Sequence, residues 1–426
     1  MTSPARKHLI LLGTHDDYIH AVQFDPATLT LTKTSELKTS PHPSWLTPHP
    51  TIPDIIYANG HVEGKAFALR VLNDQGSLQI ISEAVTDGTG PTHLAVLDDG
   101  SGVLFAHVSN AKTRTIILTS SSHTYLAPTP ADYASPQYGS GNVTLIPLSS
   151  DGTFASPSPT FSLPGAYSPI PHPRQESAHA HQIVLHGEEL LVPDLGSNKV
   201  WRLREQGGRL EAVGIVEGFE VGDGPRHCVV HPSGERRVST MFGPRRSWLG
   251  KDSSSDFAAV ANEVLGKYVY TLLELSSYVT VHRISPTPSA PSELIARLSM
   301  LPTHDEPVRP KLGASEILLL PPLHPGGPSL LIASNRDSPS AEGDALALYA
   351  VSPDGGDVKP TKEAFVRGVG RHLRGVAADP SGRWVMVCGR DEGGVKLFER
   401  VGEDGLELKE VAKIDIPNTV CPLWMS

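Results

Sequence analysis

The sequence repeats one pattern along most of its length: a corner rich in Pro, Gly or His, a short apolar strand, a turn, and a second apolar strand. The copies include PSWLTPHPTIPDIIYAN from residue 43, GPTHLAVLDDGSGVLFAH from residue 90 and RHLRGVAADPSGRWVMVCG from residue 371. Further copies begin at Ala178 and Gly224. Repeats spaced roughly 45–50 residues apart, with almost no helical periodicity, are typical of a β-propeller. The pattern therefore predicts blades arranged around a central channel.

The inner strands predict the number of blades. Six blades open near the residues that begin successive repeats, namely Ser44, Thr92, His179, Arg226, Ser315 and Leu373. A seventh can be assembled from both ends of the chain, with an inner strand from Asn418 to Met425 and three more strands at 8–13, 18–24 and 28–37. Joining the termini in one blade closes the ring and removes its open edges. We therefore expect an all-β, seven-bladed β-propeller that forms a single domain over residues 1–426.

Composition suits this fold and argues against several classes of partner. The 39 Gly and 38 Pro suit many short strands joined by tight turns. The net charge is -10 and no Lys/Arg cluster recurs on a predicted face, so no nucleic-acid partner is expected. The apolar runs are too short for a bilayer span or an export signal, so no membrane is expected either. Because three scattered cysteines predict neither a disulfide framework nor a zinc site, we expect a cytoplasmic protein.

Two inserted segments interrupt the repeats, at about 108–137 and at about 235–266. Each splits what would otherwise be a hairpin, and the second separates Arg226 from Glu274 along the chain. Loops longer than roughly 15 residues are normally functional or disordered. Three interpretations stay open: lids over one end of the ring, disordered surface loops, or translated introns. The last is suggested by a Val-Ser pair at or near the start of each segment.

Polar side chains stand near the channel-facing ends of predicted strands. His179 and His181 are two residues apart, so on a strand they point to the same face. Arg226 begins the next blade, Glu274 lies in its second strand, and Arg336 takes the equivalent place one blade on. Arginine binds carboxylate or phosphate and stabilises an oxyanion, while histidine exchanges protons near neutral pH. These residue types suffice to open or close a lactone that carries an anionic group.

Structural interpretations compete with these catalytic ones. Paired histidines in a propeller often tie one blade to the next, and this interpretation stays open for His179, while Glu274 could simply pair with a neighbouring arginine. His93 and His227 are predicted to be struts between blades. A His-x-His pair without a third ligand is a weak metal signal, so no metal is predicted. No Gly-Lys phosphate loop, nucleophile elbow or dinucleotide fingerprint occurs, so no cofactor is predicted.

With these residues in view, the chain resembles the lactonase family of seven-bladed propellers, which includes 6-phosphogluconolactonases of the cycloisomerase type and fungal 3-carboxy-cis,cis-muconate cyclases. The resemblance rests on HAHQ with the later VPDLG, on GPRH with the later ELSS, and on the closing IPNTVCPLW. It implies a metal-independent site at the channel mouth. Carried over by motif, its catalytic residues are His181, Glu274 and Arg226, and its substrate-binding residues are Arg336, Arg174, Gln175 and His179.

The leading functional hypothesis is a lactonase of carbohydrate metabolism that hydrolyses a sugar-acid lactone such as 6-phosphogluconolactone without a metal. His181 or Glu274 would activate water, and Arg226 with Arg336 would hold the anionic group and the developing oxyanion. One alternative is a cycloisomerase that lactonises a carboxylated muconate with the same groups. Another is a non-catalytic scaffold that binds a protein partner at its rim. The sequence does not determine the oligomeric state.

Overall fold

The computed structural model describes residues 6–109, 141–155, 160–163, 172–206, 209–232, 234–239 and 261–425. Seven four-stranded antiparallel sheets form a ring, which confirms the predicted seven-bladed β-propeller. The described residues also include a short 3-10 turn at Glu306–Lys311. None of the described helices is long and apolar enough to cross a lipid bilayer.

The first half of the chain builds blades 1 to 4. Blade 1 begins with β1 (His8–Thr14), β2 (Tyr18–Asp25) and β3 (Thr30–Lys38). Blade 2 contains β4 (Leu46–Pro48), β5 (Ile55–Gly60), β6 (Lys65–Val71) and β7 (Leu78–Val85). Blade 3 contains β8 (Thr89–Val96), β9 (Gly102–Ser109), β10 (Asn142–Pro147) and β11 (Phe161–Ser162). Blade 4 contains β12 (Val184–His186), β13 (Glu189–Asp194), β14 (Lys199–Gln206) and β15 (Arg209–Val216).

The second half builds blades 5 to 7 and completes blade 1. Blade 5 and its inserted ribbon contain β16 (Pro225–Val230), β17 (Gly234–Ser239), β18 (Ala261–Gly266), β19 (Tyr268–Leu273), β20 (Tyr278–Arg283) and β21 (Glu293–Ser299). Blade 6 contains β22 (Gly313–Leu320), β23 (Ser329–Arg336), β24 (Leu346–Val351) and β25 (Val358–Val366). Blade 7 contains β26 (Arg371–Ala378), β27 (Trp384–Glu392), β28 (Gly394–Val401) and β29 (Glu407–Ile414), and the last strand is β30 (Thr419–Met425).

The two ends of the chain close the ring within blade 1, as predicted. Its strand order is β3-β2-β1-β30, and β1 pairs with β30 from Leu9 opposite Met425 to Gly13 opposite Cys421. On the channel side, β30 contacts β26 of blade 7 and β4 of blade 2. This pairing hydrogen-bonds the edges that an open array of blades would expose.

Apolar side chains between adjacent blades form the core. Phe24 of β2 meets Trp384 of β27 and Trp424 of β30 edge to face, with ring centroids 5.0 and 6.4 Å apart. All three side chains are buried, and edge-to-face geometry suits the charge distribution of aromatic rings. Blades 1 and 7 are therefore held together by this aromatic packing as well as by the contact between β30 and β26.

The two predicted inserted segments fall only partly within the described residues. The first, at about 108–137, lies outside the described residues except for 108 and 109, which end β9. The second, at about 235–266, is described at its ends, where β17 and β18 pair as a separate two-stranded sheet; residues 240–260 lie outside the described residues. Since β16 pairs directly with β19, blade 5 bypasses this ribbon. The assignment of residues 1–426 to one domain stays a prediction.

Replacing Trp424 with Ala tests how much the closing strand contributes to stability. Trp424 packs against Phe24 and His8 and is 7% exposed, and truncating a buried tryptophan typically costs about 3–5 kcal/mol. We expect Trp424→Ala to lower the midpoint of thermal unfolding well below that of Leu72→Ala, whose side chain is 54% exposed. Equal midpoints for the two variants would show that this packing does not hold the closure.

Candidate active site

One buried glutamate is surrounded by three arginines. Glu274 directly follows β19 and is 2% exposed. Its Oε1 lies 2.6 Å from Arg174 Nη1 and 2.7 Å from Arg336 Nη2, and its Oε2 lies 2.9 Å from Arg226 Nε. Burial alone would raise the pKa of Glu274, but the guanidiniums of Arg336, Arg174 and Arg226 hold it well below its ordinary value. Glu274 is therefore an ionised carboxylate that joins residues of three blade regions.

The backbone before β16 brings Arg226 and Glu274 together despite the insertion between them. The Glu274 N–H donates to the Gly224 carbonyl over 2.8 Å. Gly224 has φ +63°, and a Cβ there would lie 2.6 Å from Leu275 Cγ. Only glycine fits this left-handed, crowded position without strain. The glycine of the GPRH motif thus fixes the start of the strand that carries Arg226.

A chain of hydrogen-bonding side chains connects His181 to a second buried glutamate. His181 Nδ1 lies 3.2 Å from His227 Nε2, and His227 Nδ1 lies 2.7 Å from Glu316 Oε1. Arg226 Nη1 also lies 3.3 Å from His227 Nε2. Because a guanidinium only donates, His227 Nε2 accepts and its Nδ1 carries the proton that is donated to Glu316. His227 Nε2 has a single lone pair, which Arg226 Nη1 and His181 Nδ1 would share as donors, and with that arrangement His181 Nε2 is the unprotonated nitrogen.

Burial determines the protonation states of these hydrogen-bonded side chains. Burial, followed by the nearby charges of Arg226 and His227, lowers the pKa of His181 well below its ordinary value. Burial and Arg226 lower the pKa of His227 in the same way, and burial raises the pKa of Glu316 to about 8. Both imidazoles are therefore neutral at neutral pH, and the His227–Glu316 contact is a hydrogen bond rather than an ion pair. A neutral His181 is a proton acceptor.

His181 and one of the three arginines open onto a common cavity. Its volume is about 130 Å³, which is smaller than the roughly 300–1,000 Å³ typical of ligand pockets. The lining residues are His61, Thr92, Val108, Arg174, His179, His181, Leu195 and Arg374. Five of these eight residues are histidines or arginines. This composition suits a small anionic or polyhydroxylated ligand.

The other two predicted substrate contacts differ in placement. His179 lines the cavity, and its Nδ1 donates to the Val108 carbonyl of blade 3 over 2.6 Å, so it also ties two blades together. Gln175 does not line the cavity; its Nε2 donates to the Leu195 carbonyl over 2.8 Å and contacts Asn198 Oδ1 at 3.3 Å. These contacts fix the segment that carries the two histidines. Substrate contact by either residue stays a prediction.

The structure thus groups the predicted residues closely. Glu274 touches Arg174, Arg226 and Arg336, and His181 joins them through His227, which also links neighbouring blades, as the sequence predicted.

Sequence reasoning missed Glu316 and Arg374. A signal was available, because each is a charged residue within an inner strand that is otherwise mostly apolar, β22 and β26.

In the part of the chain that the structure describes, no three His, Cys, Asp or Glu side chains are grouped as a metal site would require. A reaction that proceeds without metal stays a prediction.

Comparisons with known proteins agree on the family. A family model described as "Lactonase, 7-bladed beta-propeller" matches residues 10–127 and 119–424. A probable 6-phosphogluconolactonase of Arthroderma benhamiae is 27% identical over 254 residues, which are 59% of this chain and 55% of that protein. The 6-phosphogluconolactonase of Bacillus subtilis is 24% identical over 365 residues, which are 84% of this chain and 80% of that protein. The chain therefore spans little more than half of the first relative and most of the second.

Solved structures share the fold. A periplasmic gluconolactonase of Pseudomonas aeruginosa superposes with a TM-score of 0.71 at 23% identity, covering 99% of both chains. A putative 6-phosphogluconolactonase of Bacteroides uniformis gives a TM-score of 0.71 at 21% identity, covering 99% of this chain and 100% of the other. Taken with the family match over nearly the whole sequence, these findings confirm the resemblance, and the chain belongs to the lactonase family of seven-bladed β-propellers.

Proposed function

We propose that this protein is a lactonase that hydrolyses the lactone of an anionic sugar acid, such as 6-phosphogluconolactone, without a metal. The observation that carries the proposal is one cavity lined both by His181, whose imidazole is neutral, and by guanidinium groups. Lactone hydrolysis needs these two functions, a proton acceptor for water and a cation beside the carbonyl oxygen. The names of the relatives, 6-phosphogluconolactonase and gluconolactonase, support the same reaction class.

His181 is the proton acceptor in this proposal. Its Nε2 takes a proton from water while the water oxygen forms a bond to the lactone carbonyl carbon. The resulting tetrahedral intermediate collapses by breaking the bond between that carbon and the ring oxygen, and His181 returns the proton to the leaving oxygen. The product is a hydroxy acid, which ionises to its carboxylate. The contact with His227 holds the imidazole in the tautomer that this step requires.

Glu274 is poorly suited to be the base, although the sequence left that choice open. Its carboxylate is already paired with three guanidiniums, which hold its pKa well below the ordinary value. A carboxylate stabilised in this way takes up a proton only at low pH. Its proposed role is to position the arginines and balance part of their charge.

The oxyanion is stabilised by the arginine cluster. Arg174 lines the cavity while it holds Glu274, and three guanidiniums share that one carboxylate, so positive charge remains beside the reacting carbonyl. A preorganised donor to an oxyanion contributes about 10²–10³ in rate. Direct contacts of Arg226 and Arg336 with the substrate stay predictions, since neither lines the cavity.

Two further expectations from the sequence concern the cycloisomerase alternative and the cellular location. The relatives named above are lactonases, so the comparisons give the muconate cycloisomerase alternative no support. A cytoplasmic location stays a prediction, and the Pseudomonas relative is periplasmic by name.

An assay of purified protein against lactones tests the function. Ring opening of 6-phosphogluconolactone and gluconolactone releases acid, which a pH-stat records after subtraction of spontaneous hydrolysis. We expect the wild type to accelerate opening of at least one of them, and His181→Asn to lower kcat about 100-fold or more, because the Asn amide replaces the Nδ1 donor but offers no base at Nε2. His324→Asn, at an exposed histidine, is the matched control. A wild type that leaves both lactones at the spontaneous rate would overturn the proposal; an unimpaired His181→Asn would remove His181 from it.

The pH dependence of kcat/KM gives an independent check on the base. A base works only when unprotonated, so activity falls as pH drops through its pKa. Because burial and Arg226 lower the pKa of His181 below the ordinary 6.5, we expect the acid limb of the profile to lie below pH 6.5. A limb at or above pH 6.5 would contradict the assignment of the base to this buried imidazole.

A further inference from the structure

We infer that Arg374 binds the anionic group that the substrate carries outside its lactone ring, a phosphate or a carboxylate. This inference rests on the proposed function and deepens it, because it names the residue that would select charged lactones over neutral ones. The sequence had assigned this task to Arg226 and Arg336.

Arg374 differs from the other arginines near the cavity because it has no partner among the described residues. Arg174, Arg226 and Arg336 all contact Glu274, and the nearby Arg390 donates from Nε to Asp391 Oδ1 over 2.6 Å. Across the residues that the structure describes, Arg374 forms neither a hydrogen bond nor an ion pair. A half-buried guanidinium that lines a small cavity without a counter-ion is costly, and an anionic ligand would supply its missing partner.

The surroundings of Arg374 make its position strongly electropositive. The charges that act on it belong to Arg336, Arg226 and Arg390 and, with the opposite sign, to Glu274. Burial comes first and those cations second in lowering the pKa of Arg374, and a guanidinium stays protonated even so. Since Glu274 is already shared by three arginines, the charge of Arg374 is left for a ligand.

The position also suits a ligand that reaches the catalytic base. Arg374 and His181 line the same cavity, and the charge of Arg374 acts on His181. One small molecule can therefore place its anionic group at Arg374 and its carbonyl carbon near His181. His61 also lines this cavity, and its Nδ1 donates to the Pro91 carbonyl over 3.0 Å. Its Nε2 is therefore available to accept a hydrogen bond from a sugar hydroxyl.

An oxyanion role is the competing explanation for an unpaired arginine in this cavity, and two substrates separate the roles. An arginine that binds an external phosphate matters for 6-phosphogluconolactone but not for gluconolactone, whereas an arginine that stabilises the oxyanion matters equally for both. The first role appears mainly in KM and the second in kcat.

The test compares Arg374→Gln, Arg374→Lys and the wild type on these two lactones. We expect Arg374→Gln to lower kcat/KM for 6-phosphogluconolactone about tenfold to a hundredfold, as loss of a charge-assisted hydrogen-bond pair predicts, chiefly through KM. Its kcat/KM for gluconolactone should be nearly unchanged, and Arg374→Lys should keep part of the preference. Arg390→Gln is the matched control, because the charge of Arg390 is already paired with Asp391. Equal losses on both lactones, or none on either, would overturn the inference.

Binding of inorganic phosphate provides a readout that does not depend on catalysis. Phosphate should raise the thermal unfolding midpoint of the wild type and of Arg390→Gln, but not that of Arg374→Gln. Without phosphate, Arg374→Gln should unfold at or above the wild-type midpoint, because it removes an unpaired charge. If the wild type opens no lactone but shows this stabilisation, the proposed function fails and the anion site stands. Equal stabilisation of the wild type and Arg374→Gln would instead refute the anion site itself.

Discussion

The pairing of β1 with β30 is the interaction on which the other features depend. Each blade is covered on both faces by its neighbours, so its inner strand is apolar. In an open array, the first and last blades would expose these apolar faces to water. Linking residues 9–13 to 421–425 by backbone hydrogen bonds turns seven sheets into a ring without ends. Only in a closed ring do residues from blades far apart in sequence stay at fixed distances across the channel. The positions of Glu274, Arg336 and Arg374 all rely on this.

The electrostatic organisation of the channel follows from burial more than from the number of charges. Two glutamates lie within it, and they differ in protonation because their neighbours differ. Glu274 has guanidiniums on both oxygens and stays ionised, whereas burial raises the pKa of Glu316 to about 8 and favours its neutral form. The first organises cations, and the second accepts a hydrogen bond and orients an imidazole. Environment, not residue type, separates their roles.

The fold was predictable to a greater extent than the site. Strand alternation and turns such as Asp379 to Gly382 are local signals, and they placed all seven inner strands and the closure of the ring. Motifs also identified Glu274, Arg226 and Arg336, which do meet. The pairing scheme was not predictable, because it depends on where each blade places its side chains along the channel. That placement decides which arginines bind Glu274 and which one has no partner among the described residues. His227 does link neighbouring blades, as predicted, but its partners, His181 and Glu316, come from different blades, so its place between them was not predictable from local sequence.

The ribbon formed by β17 and β18 lies between Arg226 and Glu274 along the chain but does not move them apart in space. Arg226 and Glu274 are 2.9 Å apart although dozens of residues intervene, because β16 and β19 pair as if joined by a tight turn. Lengthening a loop costs little, about 0.6 kcal/mol per doubling, so evolution can expand this junction without disturbing the ion pair of Arg226 and Glu274. The same tolerance makes it a natural position for grafting a foreign peptide or a reporter domain onto the propeller.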